Sequence, residues 1–330
     1  GSSTELVVKA PIILGDSVRI FAKKLGAEKF SNTMYYQLSS AVNEYYPFLV
    51  NQEPYVVTSD KAGNLYFSFK ESGSGKGIYK LSTDGILSEF APKGGETIFF
   101  DLKYNSDGYL IGVYGNKAIF KIEEGNNPSV FANTGNNSIK LSTLDYDKDK
   151  TLWAAGKGGY IVSVKPDKSF KLFEYAEDIS GLRVYNNYLY AISGSTTSQN
   201  IVRFPIISAD SLGQVETVIP FTSNVEAGII ANTLTFSADG QMYIATSQLA
   251  PTSEPVDPIF YLKDGAFETW YPGLISSSVS SFAWSQGTEM FALRDKYTIS
   301  DADGNLNVVI QQKILKIDME RLGAPEFGRD

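Results

Sequence analysis

The feature that most limits what this chain can fold into is a block that returns six times: an apolar residue, a short polar turn, then a two-residue apolar-aromatic step. The clearest copy leads from Val57 through Asp60-Lys61-Ala62-Gly63-Asn64 to Leu65-Tyr66. It returns around Asn105-Ser106-Asp107-Gly108 before Leu110-Ile111, and again before Leu152-Trp153, Leu189-Tyr190, Met242-Tyr243 and Met290-Phe291. The first residues of these steps are spaced by 45, 42, 37, 53 and 48 positions. A period of that size implies a repeat architecture in which each unit buries its faces against its neighbours.

Each copy continues in the same way. A second apolar stretch follows at 78–81, 118–122, 160–164, 201–204, 259–262 and 314–317, then in most copies a turn such as Thr83-Asp84-Gly85 or Lys263-Asp264-Gly265. The last element is short and aromatic-rich, at 87–90, 130–131, 170–173, 215–221 and 267–271. Strand-forming residues bounded by Asp-Gly turns read as antiparallel hairpins. Four strands per unit, repeated radially, make an all-β, six-bladed β-propeller. Blades are covered on both faces, which fits the 20 Phe and 20 Tyr that could wedge them apart.

Residues 51–330 are expected to form the propeller, with residues 1–50 as an N-terminal segment of the same domain. The sixth unit lacks a well-marked outer strand, residues 323–326 being a poor candidate. An N-terminal strand from 5–9 or 17–21 would complete that blade and remove the exposed edges. The alternative is a seven-bladed ring with residues 1–50 as a degenerate unit. The run Tyr45-Tyr46-Pro47-Phe48 could offer a sugar-stacking platform but reads as packing that leads into the first blade. The proline-containing loop 247–258 reads as a surface excursion.

Composition narrows the chemistry. The chain has no His and no Cys, so Ser-His-Asp triads, His-liganded zinc and thiol catalysis are excluded. A net charge of −8 argues against nucleic acid, and no apolar run is long enough to span a bilayer. The chain starts Gly1-Ser2-Ser3-Thr4, like the polar stretch that follows the lipidated Cys of Gram-negative surface lipoproteins. The expectation is an exported, monomeric protein of the periplasm or cell surface, lipid-anchored through its native N-terminus.

On the motifs Asp60-Lys61-Ala62-Gly63-Asn64-Leu65-Tyr66, Asp107-Gly108-Tyr109-Leu110 and Asp239-Gly240-Gln241-Met242-Tyr243, the repeat resembles the six-bladed propellers of the NHL-repeat and gluconolactonase-like superfamily over about residues 54–320. Streptogramin-lyase-like members rely on a His, so their activity does not carry over. The gluconolactonase-like branch uses a divalent metal held by Glu, Asn and Asp oxygens. That resemblance implies a metal-dependent hydrolase or lactonase as one reading, with Glu53, Asp145, Asp178 and Asn232 as ligands of calcium or another divalent cation.

Aligning the six units gives a second candidate. The position after the inner-strand apolar residue is Thr58, Lys103, Asp145, Arg183, Thr235 and Ala283. Three consecutive blades thus place Lys, Asp and Arg at one level beside the axis, and Asp101 adds a carboxylate. One reading is an inter-blade ion-pair ladder that fixes blade register. The other is a ligand site in which Arg183 and Lys103 bind an anion, organised by Asp145 and Asp101. The turn Asp301-Ala302-Asp303-Gly304-Asn305 lacks the bidentate Glu of a calcium loop, since position 312 is Gln312, and reads as a hairpin turn. Two functional classes survive: a non-catalytic propeller, without cofactor, that binds a protein, glycan or small polar ligand through one face, and the metal-dependent hydrolase.

Overall fold

The computed structural model describes residues 15–20, 34–38, 40–94, 98–249, 256–300 and 306–330. The chain divides into two compact units, Gly1–Asn43 and Glu44–Asp330. In the first, Gly15–Ile20 pairs antiparallel with Met34–Leu38. The described residues contain no helix, and so none long and apolar enough to cross a membrane.

The second unit is a ring of six four-stranded sheets. Their inner strands are Gln52–Ser59, Asp101–Tyr104, Lys140–Tyr146, Ile179–Tyr185, Ile229–Phe236 and Val279–Trp284, in blades one to six. Each inner strand packs beside the next, and the last packs beside the first. Each is followed outward by strands that pair antiparallel with their neighbours, as in Gln52–Ser59, Leu65–Glu71, Ser74–Leu81 and Leu87–Ala91 of blade one. Blade four carries a small extra strand, Ser211–Leu212.

In blades one and three the turn acid and the aromatic of the repeated block form one physical unit. In blade one the Asp60 carboxylate accepts hydrogen bonds from the Asn64 amide N–H (2.9 Å), the Asn64 Nδ2 (2.7 Å) and the Tyr66 hydroxyl (3.0 Å). In blade three Asp147 accepts from the Thr151 amide (2.9 Å) and the Trp153 indole (2.8 Å). The carboxylate closes the hairpin and satisfies the polar tip of a ring six residues on, so that the ring can be buried without an orphaned donor. Apolar clusters then fill the wedges between neighbouring blades: Leu102 and Leu110 meet Val56 and Tyr66, and Leu182 and Leu189 meet Trp153 and Ile161.

The ring closes through Val42–Pro47, which pairs with Lys313–Asp318 as the outer strand of blade six. Closure by an N-terminal strand is as the sequence implies, but the strand is a different one. Of the two candidates, residues 5–9 lie outside the described residues, and 17–20 belong to the strand that pairs with Met34–Leu38. The Tyr45-Tyr46-Pro47-Phe48 run, read from sequence as packing alone, contains the closing strand and keeps its rings inside. Tyr45 meets Phe291 at 4.9 Å, and Phe48 meets Phe67 edge-on at 5.2 Å. Glu44 pairs with Lys313 and Arg294 of the same blade. A hairpin of Tyr297–Ser300 and Leu306–Ile310 is inserted in blade six. The Asp301 to Asn305 turn and positions 250–255 of the 247–258 loop lie outside the described residues.

Phe48 is almost fully buried and belongs to the cluster shared by blades six and one. Phe48→Ala should therefore lower unfolding stability by about 3–5 kcal/mol, read as a reduced urea midpoint.

Candidate functional site

The inner strands run side by side in one direction: Val57 lies beside Ser281, Ser59 beside Trp284, Asp101 beside Leu144 and Asp145 beside Val184. The channel they surround thus has one end where these strands begin, the mouth, and one where they end, the floor. The two ends are built differently.

At the floor, register places Thr58, Lys103, Asp145, Arg183, Thr235 and Ala283 opposite the second residue of each repeated step. Arg183 and Asp145 are each about 2% exposed and pair at 2.7 Å. Asp145 also accepts the Val184 amide at 2.8 Å. Asp101 repeats the pattern one blade earlier, accepting the Leu144 amide (2.8 Å) and the Thr143 hydroxyl (3.1 Å), with Lys103 3.9 Å away. Each carboxylate of this pair therefore ties its own blade to the next inner strand.

A further carboxylate completes the cluster. Glu326 reaches Arg183 at 3.2 Å, and the Pro325 carbonyl accepts the same guanidinium at 3.0 Å. The segment 322–330 crosses the floor of the ring. Ala324 bonds to Phe236, the Gly328 carbonyl accepts the Ser106 amide, Lys150 donates to the Phe327 carbonyl, and Arg329 donates to Ser59 and the Trp284 carbonyl. Its glycines are set by contact: a Cβ on Gly323 would sit 2.5 Å from the Trp284 ring and one on Gly328 2.4 Å from Tyr146. Sequence reasoning missed Glu326 because it lies outside the repeat.

The charges are mutually held. Burial disfavours the Lys103 ammonium, but Asp101, Asp145 and Glu326 outweigh it and raise its pKa. Burial likewise opposes the Arg183 charge, and Asp145 and Glu326 together overcome it. Burial would raise Glu326, yet Arg183, Lys103 and Arg329 hold its carboxyl below the usual range. Asp101 is pushed up by burial despite Lys103 and its hydrogen bonds.

The mouth is shaped by a recurrent irregularity. In five blades the pairing of the inner strand slips within its first few residues, between Pro54 and Val56, Leu141 and Thr143, Ile179 and Gly181, Ala231 and Thr233, and Val279 and Ser281. Bulges re-aim the extra residue, here Tyr55, Ser142, Ser180, Asn232 and Ser280. Between blades six and one, Tyr55 and Ser280 line a cavity of about 430 Å³ with Glu53, Asp295, Lys296 and Gln312. Glu53 pairs with Lys296 at 2.7 Å. Tyr55 lies 6.2 Å from the exposed Phe100 ring and under the Lys70 ammonium. Asp295 accepts the Ser280 hydroxyl at 2.9 Å; burial pushes its carboxyl up to about 7, against the pull of that hydrogen bond.

Lys103, Asp145, Arg183 and Asp101 are thus together at the floor. The four residues of the metal reading are not. Glu53 and Asp178 stand near the starts of inner strands and Asn232 in the middle of one, whereas Asp145 sits near the end of one, roughly 7–16 Å farther along the channel by strand rise. Glu53 is held by Lys296, Asn232 bridges the Val279 carbonyl (2.8 Å) and the Ser247 hydroxyl (3.1 Å), and Asp178 is exposed. The residues present do not fit a divalent cation as one shell, and among the described residues no three acidic side chains group to hold one.

Arg183→Met takes the guanidinium from the buried Asp145 carboxylate and should cost about 3–5 kcal/mol of stability, measured by urea unfolding. Because the folded pKa of Glu326 is depressed, its stabilisation is present above its unfolded value of about 4.3 and lost as pH falls through the folded value. Glu326→Gln should therefore flatten the acid limb of a stability–pH curve; an unchanged limb would show that Glu326 is not the titrating group.

No protein-family model matches the chain, and no curated protein does. Solved structures do match. A luciferin-regenerating enzyme aligns at TM-score 0.63 and 13% identity over 86% of this chain and 98% of that one. A candidate gluconolactonase gives 0.59 and 13% over 86% and 93%. Virginiamycin B lyase from Staphylococcus aureus gives 0.54 and 13% over 81% and 87%. Identities this low speak for architecture alone, and the architecture agrees with the six sheets seen here: this chain folds as a six-bladed β-propeller of the kind those three proteins share.

Proposed function

We propose that this protein is a non-catalytic propeller that binds a small polyhydroxylated ligand, such as a sugar or the sugar end of a glycan, at the mouth of its channel. The observation that carries this reading is the cavity between blades six and one, walled by bulged Tyr55 and Ser280. Its size falls in the range of small-molecule pockets. The Tyr55 and Phe100 rings offer apolar faces for a sugar ring. Glu53, Lys296 and Asp295 offer donors and acceptors for hydroxyls. The floor supports the same choice from the other side, because the anion that Arg183 could bind is Glu326 of the same chain.

A hydrolytic reading draws on one observation, a carboxyl at Asp295 whose pKa lies near neutrality, where acid–base chemistry is most effective. A divalent cation at the mouth would first have to displace Lys296 from Glu53. Calcium or zinc titration followed by melting temperature separates the readings: a metal-raised melting temperature lost in Glu53→Gln favours the hydrolase.

Titration calorimetry against a panel of monosaccharides and sugar lactones should find a ligand whose affinity drops at least about tenfold in Tyr55→Ala. Binding equal in that variant, or turnover of any lactone, overturns the proposal. The raised Asp295 pKa predicts stability that is greatest below the unfolded carboxyl value of about 3.9 and declines as pH rises towards about 7. Asp295→Asn should remove that decline.

A further inference from the structure

A second cleft lies at the floor end, away from the mouth, between blades two and three. It encloses about 480 Å³ and is lined by Tyr109, Lys121, Phe131, Lys150, Lys165 and Lys168 among others. Four lysines from three elements, with Lys165 and Lys168 on one turn, converge there on a chain of net charge −8, while the acids that line it, Asp107 and Asp149, are two. Clefts lined by one sign of charge raise the local concentration of the opposite ion.

Three of the four lysines, Lys121, Lys165 and Lys168, are available to a ligand. Lys121 and Lys165 pair with the carboxylates of Glu123 (2.7 Å) and Asp210 (2.6 Å), in partly exposed contacts of little worth. Lys168 pairs with no carboxylate among the described residues, and its ammonium lies 5.5 Å from the Phe131 ring. Lys150 is used inside the fold, on the Phe327 carbonyl. Two of the ammonium groups stand over rings, since Lys121 lies 4.5 Å from the Tyr109 centroid. Ammonium and aromatic face therefore come in pairs on both sides of the cleft.

We infer that this cleft binds an acidic sugar, one that carries a carboxylate or sulfate. The lysines supply charge-assisted donors for the anion, and an ammonium that swings onto the anion uncovers the ring it stood over, Tyr109 or Phe131, for the sugar C–H surface. A bare phosphate or sulfate would use the first feature and leave the second unused. A neutral sugar would do the reverse. The cleft shares no residue with the mouth, so this inference stands or falls apart from the function proposed above.

The test is calorimetric titration at low salt with a uronic-acid disaccharide, a sulfated disaccharide, maltose and inorganic sulfate, on the wild-type protein, Lys121→Gln/Lys168→Gln and Tyr55→Ala. Both lysines stand at the surface, and an unchanged melting temperature certifies the fold of the double variant. An acidic disaccharide should bind, weaken as salt is added, lose at least about tenfold in affinity in the double variant and be unaffected by Tyr55→Ala. The inference is overturned if neither acidic disaccharide binds, if maltose or inorganic sulfate binds as tightly, if the double variant binds unchanged, or if Tyr55→Ala abolishes binding and so moves the site to the mouth.

Discussion

A ring of sheets is only as good as its seam, and the pairing of Val42–Pro47 with Lys313–Asp318 is the contact on which the rest of this structure depends. Without it blade six would present an unpaired strand, with its row of free backbone groups, at the point where first and last blades meet. The seam is reinforced by ion pairs and by rings. Glu44 faces Lys313 and Arg294, while Tyr46, Phe48 and Phe67 interlock in the wedge with blade one. Backbone pairing, charge and ring packing thus act at one place on one short strand.

Closure then sets what the channel can do. Six inner strands held side by side bring equivalent positions to one level, so that chemistry is decided by which side chains a level carries. At the floor that level carries charge, and the charges are consumed within the protein. Asp101 and Asp145 bind backbone amides of the next blade, and Arg183 is shared between Asp145 and Glu326. At the mouth the backbone itself departs from regularity, and the extra residues of the bulges face a cavity whose polar groups are only partly engaged. At one end of the ring the charges are satisfied internally, and at the other the described polar groups are only partly engaged.

Much of this could be read from the sequence, for a definite physical reason. The repeated block is legible because its turn and the step after it act on each other locally, most directly where an acid bonds to a ring six residues on, as with Asp60 and Tyr66 or Asp147 and Trp153. The level shared by Lys103, Asp145 and Arg183 is legible because register follows from the same block. Glu326 is not, since it belongs to no repeat and arrives from a segment with no strand pattern. Nor is the mouth: whether Tyr55 or Ser280 is a bulged residue depends on pairing with the next strand, and because both faces of a blade are covered the shift in alternation does not show in the apolar pattern. The closing strand falls between these cases. Its rings announced burial, but burial alone did not say that its backbone would pair with Lys313–Asp318.

The segment 322–330 has a mechanical meaning. Lys61, Ser106, Lys150, Arg183, Ala238 and Trp284, one from each blade in turn, bond to it. A linear stretch of chain with a fastening on all six spokes behaves as a hubcap, and a tensile load applied through it would be distributed to every sheet at once. Such a wheel fails as a whole, without shedding spokes in order, which distinguishes it from an open array of repeats that can fray from one end.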